Sequence, residues 1–357
     1  MNDVINPRAY RSGKEMPLFV ICLVLSLIAW LLVIISIVGI FYIVLGLVGY
    51  LIFTALLLAS IKGNGVRIGP NQLPELYARL EAASRRLGLR AVPDAYLLNH
   101  RAVFNAFATR YLGRNFVVLY AELLEHCEDD SGAIDFIISH EVAHVALGHL
   151  SVQGLLLPGM FVPWIGPAYS RAREYSCDRV ARAVVGSDAG AVAGLTVLAA
   201  GGKYGKRLNV DALLQQRLDT GRFWQAVVEL NLSHPFLSKR VAAVIDHEQA
   251  RVSVGRNPFA YLFAPLFSFS AAGTGAASQL IIVVAIVGIL AAIAIPNFLK
   301  FQQRAQAAAA RASMLSEQNA PYAGDAAPDE ADLFRQLEPG RPPPAEVAPA
   351  AEAVPGE

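Results

Sequence analysis

The chain has 357 residues, of which 55% are hydrophobic and only 17% are charged, well below the roughly 25% of an ordinary soluble domain. Its net charge of +1 gives no support for a nucleic-acid partner, which requires a basic surface. The three cysteines are scattered and lack CxxC spacing, which argues against a disulfide framework.

The first predicted elements are two transmembrane helices. Residues 17–61 contain no charged side chain. As one helix they would extend about 67 Å, more than twice the roughly 30 Å hydrocarbon core of a bilayer. We therefore predict spans near 18–38 and 41–61 with a tight turn near Gly39. A signal peptide is excluded by length, because its apolar core has only about 7–15 residues.

Positive charge flanks this hairpin on both sides, at Arg8, Arg11, Lys14, Lys62 and Arg67. The positive-inside rule places both flanks, including residues 1–16, in the cytoplasm. After the hairpin, apolar residues from Leu73 to Leu87 recur at helical spacing. Val92–Leu98 and Phe116–Tyr120 are predicted to be short strands. The order of strands followed by helices predicts an α+β, mainly helical domain over residues 62–256.

The next helix carries His140-Glu141-Val142-Ala143-His144 within the apolar run Ile134–Leu150. Positions i and i+4 share one helix face, so both imidazoles can bind one metal ion while Glu141 reaches a water beside it. The alternative is a helix with two surface histidines of no function. The apolar context favours a metal, because unpaired histidines inside a core are costly.

A second motif follows the uncharged stretch 150–170, whose prolines and glycines predict a bent, membrane-proximal insert rather than a straight span. On a helix, Glu174 and Asp178 would share one face. Glu174 can then act as a third metal ligand, and Asp178 can accept a hydrogen bond from a ligating histidine. The alternative is a solvated helix whose charged residues pair with one another.

These motifs, with Gly148-His149 and Ser170-Arg171-x-x-Glu174-x-x-x-Asp178, resemble those of the HtpX and CAAX prenyl protease family of integral-membrane zinc peptidases. The resemblance covers roughly residues 70–250. It implies a zincin-like metallopeptidase domain with one zinc ion per chain, bound by His140, His144 and Glu174, and with Glu141 as general base.

The resemblance extends to two further stretches. Asn105, Ala106, Phe107 and Ala108 resemble the edge strand beside which an extended substrate lies. Ser233-His234-Pro235 resembles a late His-Pro element, so His234 is a candidate donor to the oxyanion, with a capping or core histidine as the alternative. Cys177 stands where many relatives carry alanine, and we interpret it as a small buried residue rather than a competing ligand.

Two residues near these motifs receive structural interpretations. Arg240 is expected to make a structural ion pair. His149 lies five residues past His144, about 500° further round a continuous helix. It is therefore expected to be a surface residue or one that only supports the ligands.

The C-terminal third is again apolar. Residues 257–278 are predicted to be a linker or a further span, and residues 279–299 a transmembrane helix. The latter is similar to the N-terminal helix of type IV pilins, but Gln279 and Thr274 replace the pilin glutamate and glycine. Residues 300–357 begin as a basic segment and continue as an Ala/Pro/Glu-rich tail, predicted to be disordered from residue 315. Whether the chain has three or four spans stays open.

The sequence thus predicts a membrane-anchored zinc metalloendopeptidase of the bacterial inner membrane with a cytoplasmic active site. Its predicted partners are polypeptide substrates, misfolded or membrane proteins among them, and the lipid bilayer, with no nucleic acid. Two alternatives remain. One is a processing peptidase of the CAAX type, and the other is a non-catalytic, pilin-like component of a membrane assembly.

Overall fold

The computed structural model describes residues 4–99, 106–127, 130–245, 254–267 and 296–316. The chain divides into two units, Met1–Leu280 and Ile281–Glu357. Described residues of the first unit form mainly helices together with one four-stranded sheet, which confirms the mainly helical α+β class.

The described part of the first unit contains strands, α-helices and three short 3₁₀-helices. Its strands are β1 (Val66–Ile68), β2 (Asp94–Leu98), β3 (Ala106–Tyr111) and β4 (Arg114–Tyr120). Its α-helices are α1 (Glu15–Ile35), α2 (Ile37–Asn64), α3 (Pro74–Arg86), α4 (Ala121–Cys127), α5 (Ser131–Ala146), α6 (Gln153–Met160), α7 (Ile165–Val185), α8 (Asp188–Gly205), α9 (Val210–Gln216), α10 (Phe223–Asn231), α11 (Leu237–Val244) and α12 (Phe259–Phe263).

Helices α1 and α2 are both long and apolar enough to cross a membrane by length and composition. The chain breaks between them at Ser36, three residues before the predicted turn at Gly39. The Ser36 hydroxyl accepts a hydrogen bond from the backbone N–H of Gly39 at 3.1 Å. Serine is a preferred N-cap, so it starts the second helix earlier than the position of the glycine suggests.

Helix α1 also packs against α6, which is formed by part of the apolar stretch 150–170. The Ser26 hydroxyl donates to the carbonyl of Leu156 at 3.1 Å and accepts from the N–H of Gly159 at 2.8 Å. A Cβ at Gly159 would lie 2.3 Å from the carbonyl oxygen of Cys22, so only glycine allows this close approach. At eight residues, about 12 Å, α6 is far too short to span a bilayer.

The segment before α1 packs on the helices of the first unit. The N–H of Ile5 donates to the carbonyl of Arg86 at 2.7 Å, and the N–H of Ser12 donates to the hydroxyl of Ser176 at 2.8 Å. Residues 4–15 therefore contact α3 and α7 directly. The sequence had predicted only a cytoplasmic N-terminus here.

The sheet has the order β1-β2-β4-β3, with β2 and β4 parallel and the other two pairs antiparallel. Strand β3 therefore lies at an edge, and no other strand of the described residues pairs with its outer side. The main core joins the sheet to α5 and extends to the helices around α5, and Val117, Phe136, Ile138 and Val142 within it are at most 1% exposed. The sheet edge and α5 together position the residues of the predicted site.

The C-terminal predictions fall only partly on described residues. Helix α12 packs on α10 through Ala260, next to Val227 and Leu230, while residues 268–278 lie outside the described part. In the second unit, residues 296–316 form a helix, α13, with exposed side chains. The prediction of disorder from residue 315 is therefore wrong at residues 315 and 316. The predicted pilin-like segment up to residue 295 and the tail from residue 317 lie outside the described residues.

Candidate metal centre

Helices α5 and α7 bring the three predicted ligands together. Asp130 caps α5 by accepting a hydrogen bond from the N–H of Ala133 at 3.0 Å. One helical turn separates His140 from His144 on α5, and both face Glu174 of α7. Nε2 of His140 lies 3.3 Å from Oε2 of Glu174, and Nε2 of His144 lies 3.4 Å from Oε1.

These distances fit a metal ion held in a tetrahedron. Ligand atoms bound to zinc at about 2.0–2.2 Å in that geometry lie about 3.3–3.6 Å apart. All three ligand atoms lie within 4.8 Å of one another. Two imidazoles and one carboxylate are also a donor set found in catalytic zinc sites. The residues present therefore fit a zinc ion.

The electrostatics of the cluster favour a cation. Burial opposes ionisation of Glu174, but hydrogen bonds from His140 and His144 outweigh it and hold its pKa well below the usual range. Burial likewise opposes the charged form of His140, yet hydrogen bonding to Asp178 and Glu174 raises its pKa to about 10. The ionised carboxylates that stabilise a positive charge on His140 would also stabilise a metal cation in its place.

Asp178 orients His140 from behind. Its Oδ1 lies 3.0 Å from Nδ1 of His140, on the ring edge opposite Glu174. Arg240 of α11 holds the same carboxylate with two hydrogen bonds, from Nε at 2.8 Å and from Nη2 at 2.7 Å. Burial would raise the pKa of Asp178, but this guanidinium lowers it overall. We name His140, Asp178 and Arg240 the domain arm.

A different set of residues supports His144. The carboxyl end of α5 is a Schellman motif, in which Gly148 has a φ of 79° and the N–H of His149 donates to the carbonyl of His144 at 3.1 Å. This turn places Nδ1 of His149 3.1 Å from Nδ1 of His144. Nε2 of His149 lies 3.2 Å from Oε1 of Glu15, the first residue of α1. We name His144, His149 and Glu15 the N-terminal arm.

His149 is therefore not on the surface, which corrects half of the sequence interpretation. His149 is only 2% exposed, and burial lowers the pKa of its imidazole to about 4. The prediction extended the helical rotation past Gly148, where the helix ends. A glycine just after an apolar helical run is itself a stop signal, so the sequence did contain the information.

Cys177 lies beside this arm and belongs to a second possible metal-binding group, with His144 and His149. Its sulfur is 3.7 Å from Nδ1 of His149. Burial raises the pKa of the Cys177 thiol well above its usual value, which opposes formation of the thiolate that binds metals. Its full burial agrees with the interpretation of a small core residue.

The three predicted metal ligands line a cleft of about 790 Å³. Glu141 is 8% exposed and lines this cleft beside the two histidines. The cleft is also lined by Ala106, Phe107 and Ala108 of the edge strand β3, whereas Asn105 lies outside the described residues. A predicted base and a predicted substrate strand thus face one cavity.

His234 reaches the cleft from the opposite wall. Its Nε2 lies 3.5 Å from Oε2 of Glu174, and Nδ1 lies 2.9 Å from the hydroxyl of Ser233. The side chain is 63% exposed, which rules out the alternative of a core histidine. Arg171, for which the sequence motif predicted no role of its own, holds this segment by donating to the carbonyls of Glu229 and Leu232, both at 2.6 Å.

One family model and two curated relatives match part of this chain. Residues 70–163 match the model of peptidase family M48. Two curated relatives are each described as "Protease HtpX homolog". The one from Bacillus licheniformis is 33% identical over 111 residues, covering 30% of this chain and 35% of the relative. The one from Bacillus pumilus is 38% identical over 82 residues, covering 23% and 27%.

The chain thus spans about a third of the length of these relatives. No solved structure matches it. The family match includes both histidines and ends before Glu174 and His234. The proximity of Glu174 and His234 to the histidine motif is therefore seen in the structure and not in the family match.

Proposed function

We propose, from the premise that residues 70–163 are an HtpX-like domain of peptidase family M48, that this protein is a membrane-anchored zinc endopeptidase. The observation that carries the proposal is the convergence of His140, His144 and Glu174 at the spacing zinc requires. Their ligand atoms face a cleft that also contains Glu141. The two apolar helices support membrane anchoring.

Each residue then has a role in peptide hydrolysis. Zinc, when bound, lowers the pKa of a coordinated water toward 7 and polarises the scissile carbonyl. Glu141 accepts the proton from the attacking water and returns it to the departing amine. His234 faces the ligand cluster from the other wall of the cleft, and its exposed ring can donate a hydrogen bond to the developing oxyanion.

The edge strand supports a polypeptide as the substrate. An extended chain can add to the outer side of β3 through main-chain hydrogen bonds, with Phe107 and Ala108 lining the cleft beside it. Such binding demands little sequence specificity, which suits unfolded or damaged proteins. The basic residues flanking α1 and α2 support a cytoplasmic catalytic domain at the bacterial inner membrane.

The test is Glu141→Gln in the full-length protein purified in detergent. Loss of the general base should lower the rate of casein cleavage by about 10²–10⁴-fold, while one zinc ion per chain remains bound. Cleavage is followed with a fluorescent casein, and zinc by elemental analysis. A chelator should abolish the wild-type activity.

The matched control is Glu125→Gln, an exposed glutamate on α4, which should cleave casein like the wild type. Wild-type rates in Glu141→Gln would contradict the role of the base. A wild-type protein that purifies without zinc, or that ignores the chelator, would overturn the proposed activity itself.

A further inference from the structure

The two histidine ligands are oriented from different parts of the chain. Asp178, which lies behind His140, comes from α7 of the catalytic domain. His149, which lies behind His144, contacts in turn Glu15, the first residue of a helix that is long and apolar enough to cross a membrane. Glu15 is only 2% exposed, so this contact is buried.

The hydrogen-bonding inventory fixes which atoms carry protons along the N-terminal arm. An ionised carboxylate only accepts, so Glu15 requires the proton of His149 on Nε2. A neutral imidazole then presents a lone pair at Nδ1, which accepts the Nδ1–H of His144. With its proton on Nδ1, His144 keeps the lone pair of Nε2 free for a metal ion that would be shared with Glu174.

Two further contacts tie Glu15 to the end of the metal helix. Nε of Arg11 lies 3.3 Å from Oε1 of Glu15, one turn away. Nη2 of the same guanidinium donates to the carbonyl of Leu147, at the carboxyl end of α5, at 3.0 Å. The start of α1 and the end of α5 are therefore held together at the point where His149 turns back toward His144.

We propose that Glu15 and His149 are positioning residues that fix the tautomer and orientation of the ligand His144, so that docking of the first apolar helix completes the metal centre. This inference rests on the proposed zinc-dependent function. It gives α1 a second role besides anchoring, because the metal affinity then depends on a residue 129 positions before its ligand in the chain (144 − 15).

The experiment measures zinc affinity in the full-length protein in detergent, by competition with a chromogenic chelator. Substitution of residues that orient a metal ligand typically weakens metal binding 10–100-fold. We expect a loss of about that size for Glu15→Ala and for His149→Phe, which fills similar volume without a ring nitrogen. Glu15→Gln keeps an acceptor for Nε2–H, so it should lose less than Glu15→Ala.

The matched control is Ser26→Ala on the same helix. It removes both hydrogen bonds to α6 but touches neither Glu15 nor His149, so its zinc affinity should equal that of the wild type. The double variant Glu15→Ala/His149→Phe should bind zinc about as well as His149→Phe alone, because both changes break one chain of contacts. The absorption spectrum of the cobalt-loaded protein should shift in both single variants.

Three results would overturn the inference. In the first, Glu15→Ala and His149→Phe bind zinc with an affinity within twofold of the wild type. In the second, Ser26→Ala loses as much zinc affinity as those two variants. In the third, the wild-type protein binds two zinc ions per chain. The last would make His149 a ligand. If Glu15→Ala does not fold, His149→Phe compared with Ser26→Ala decides. If the wild type binds one zinc ion and cleaves casein while the Glu15 and His149 variants keep its zinc affinity, only this inference is refuted. If the wild type binds no zinc, the proposed function is refuted.

Discussion

The domain arm and the N-terminal arm each orient one of the two histidine ligands, but they do so with different residues. The domain arm is buried from solvent, because Asp178 is fully buried and the side chain of Arg240 is only 8% exposed. The N-terminal arm inserts an extra imidazole, and its outer partner Arg11 is 22% exposed. The orientation of His140 thus depends on residues of α7 and α11, whereas that of His144 depends on a contact with the first residue of α1.

The largest effect should come from breaking the domain arm at Arg240. Arg240→Ala removes both hydrogen bonds that the guanidinium donates to the buried carboxylate of Asp178, and removal of one partner from a buried pair costs about 3–5 kcal/mol. We expect a strong fall in the thermal midpoint of the metal-free protein in detergent, followed by circular dichroism.

Arg182→Ala is the control for this prediction. Arg182 pairs with Asp188, but both side chains are more than a third exposed, at 38% and 46%. Such pairs contribute about 0.2–1 kcal/mol. Equal midpoints for the two variants would show that the burial of the domain arm does not contribute to stability as argued.

The next prediction compares the arms with one chemical change. Asp178→Asn and Glu15→Gln each replace a carboxylate by an amide of the same shape. In the domain arm this removes the carboxylate that accepts both hydrogen bonds of the buried Arg240 and leaves only Glu174, 3.8 Å from its Nη2, at a cost of about 3 kcal/mol. In the N-terminal arm Arg11 can turn toward water, so the loss should be about 1 kcal/mol, the size of one hydrogen bond. Thermal denaturation of both variants gives the order, and an inverted order would contradict the distinction between the arms.

The part of the site that lies on regular helices could be predicted from the sequence, because helical periodicity places those residues. His140 with His144, and Glu174 with Asp178, are each spaced i and i+4, and both pairs fall on regular helices as expected. The interpretation of Arg240 as a structural ion pair also agrees with its two bonds to Asp178. The mainly helical α+β class followed from the same periodic patterns.

The N-terminal arm could not be predicted in the same way. Its first contact arises where periodicity stops, at the turn of Gly148, so rotation along a continuous helix misplaces His149. Its second contact joins Glu15 to His149 across 134 positions of sequence. No local pattern connects them, since the contact depends on how α1 docks on the folded domain. The break before α2 lies at Ser36 and not at Gly39 for a different reason, because the Ser36 side chain caps the helix ahead of the nearby glycine.

A third buried carboxylate sharpens the comparison because it contacts no metal ligand. Glu229 is fully buried and accepts from Lys239 at 2.6 Å and from Arg256 at 2.7 Å. Substitution of Glu229 should change the stability of the protein without changing its zinc affinity. Substitutions in either arm should change both the stability and the zinc affinity. Glu229→Gln is therefore expected to keep the Kd for zinc of the wild type at pH 7, measured with the same chelator.

The smallest predicted effect is the pH dependence of stability that Glu229 contributes. Burial disfavours the charge of Glu229, but hydrogen bonds from Arg256 and Lys239 lower its pKa overall. A lowered pKa in the folded state stabilises the protein above the unfolded pKa of about 4.3, and this contribution is lost as the pH falls. By pH 4 the loss is at most about 0.6 kcal/mol, because only proton uptake by the unfolded glutamate counts. Thermal midpoints from pH 7 to pH 4 should therefore fall slightly more steeply for the wild type than for Glu229→Gln. Parallel curves would mean that Glu229 titrates alike in both states and that its two cations do not hold it ionised.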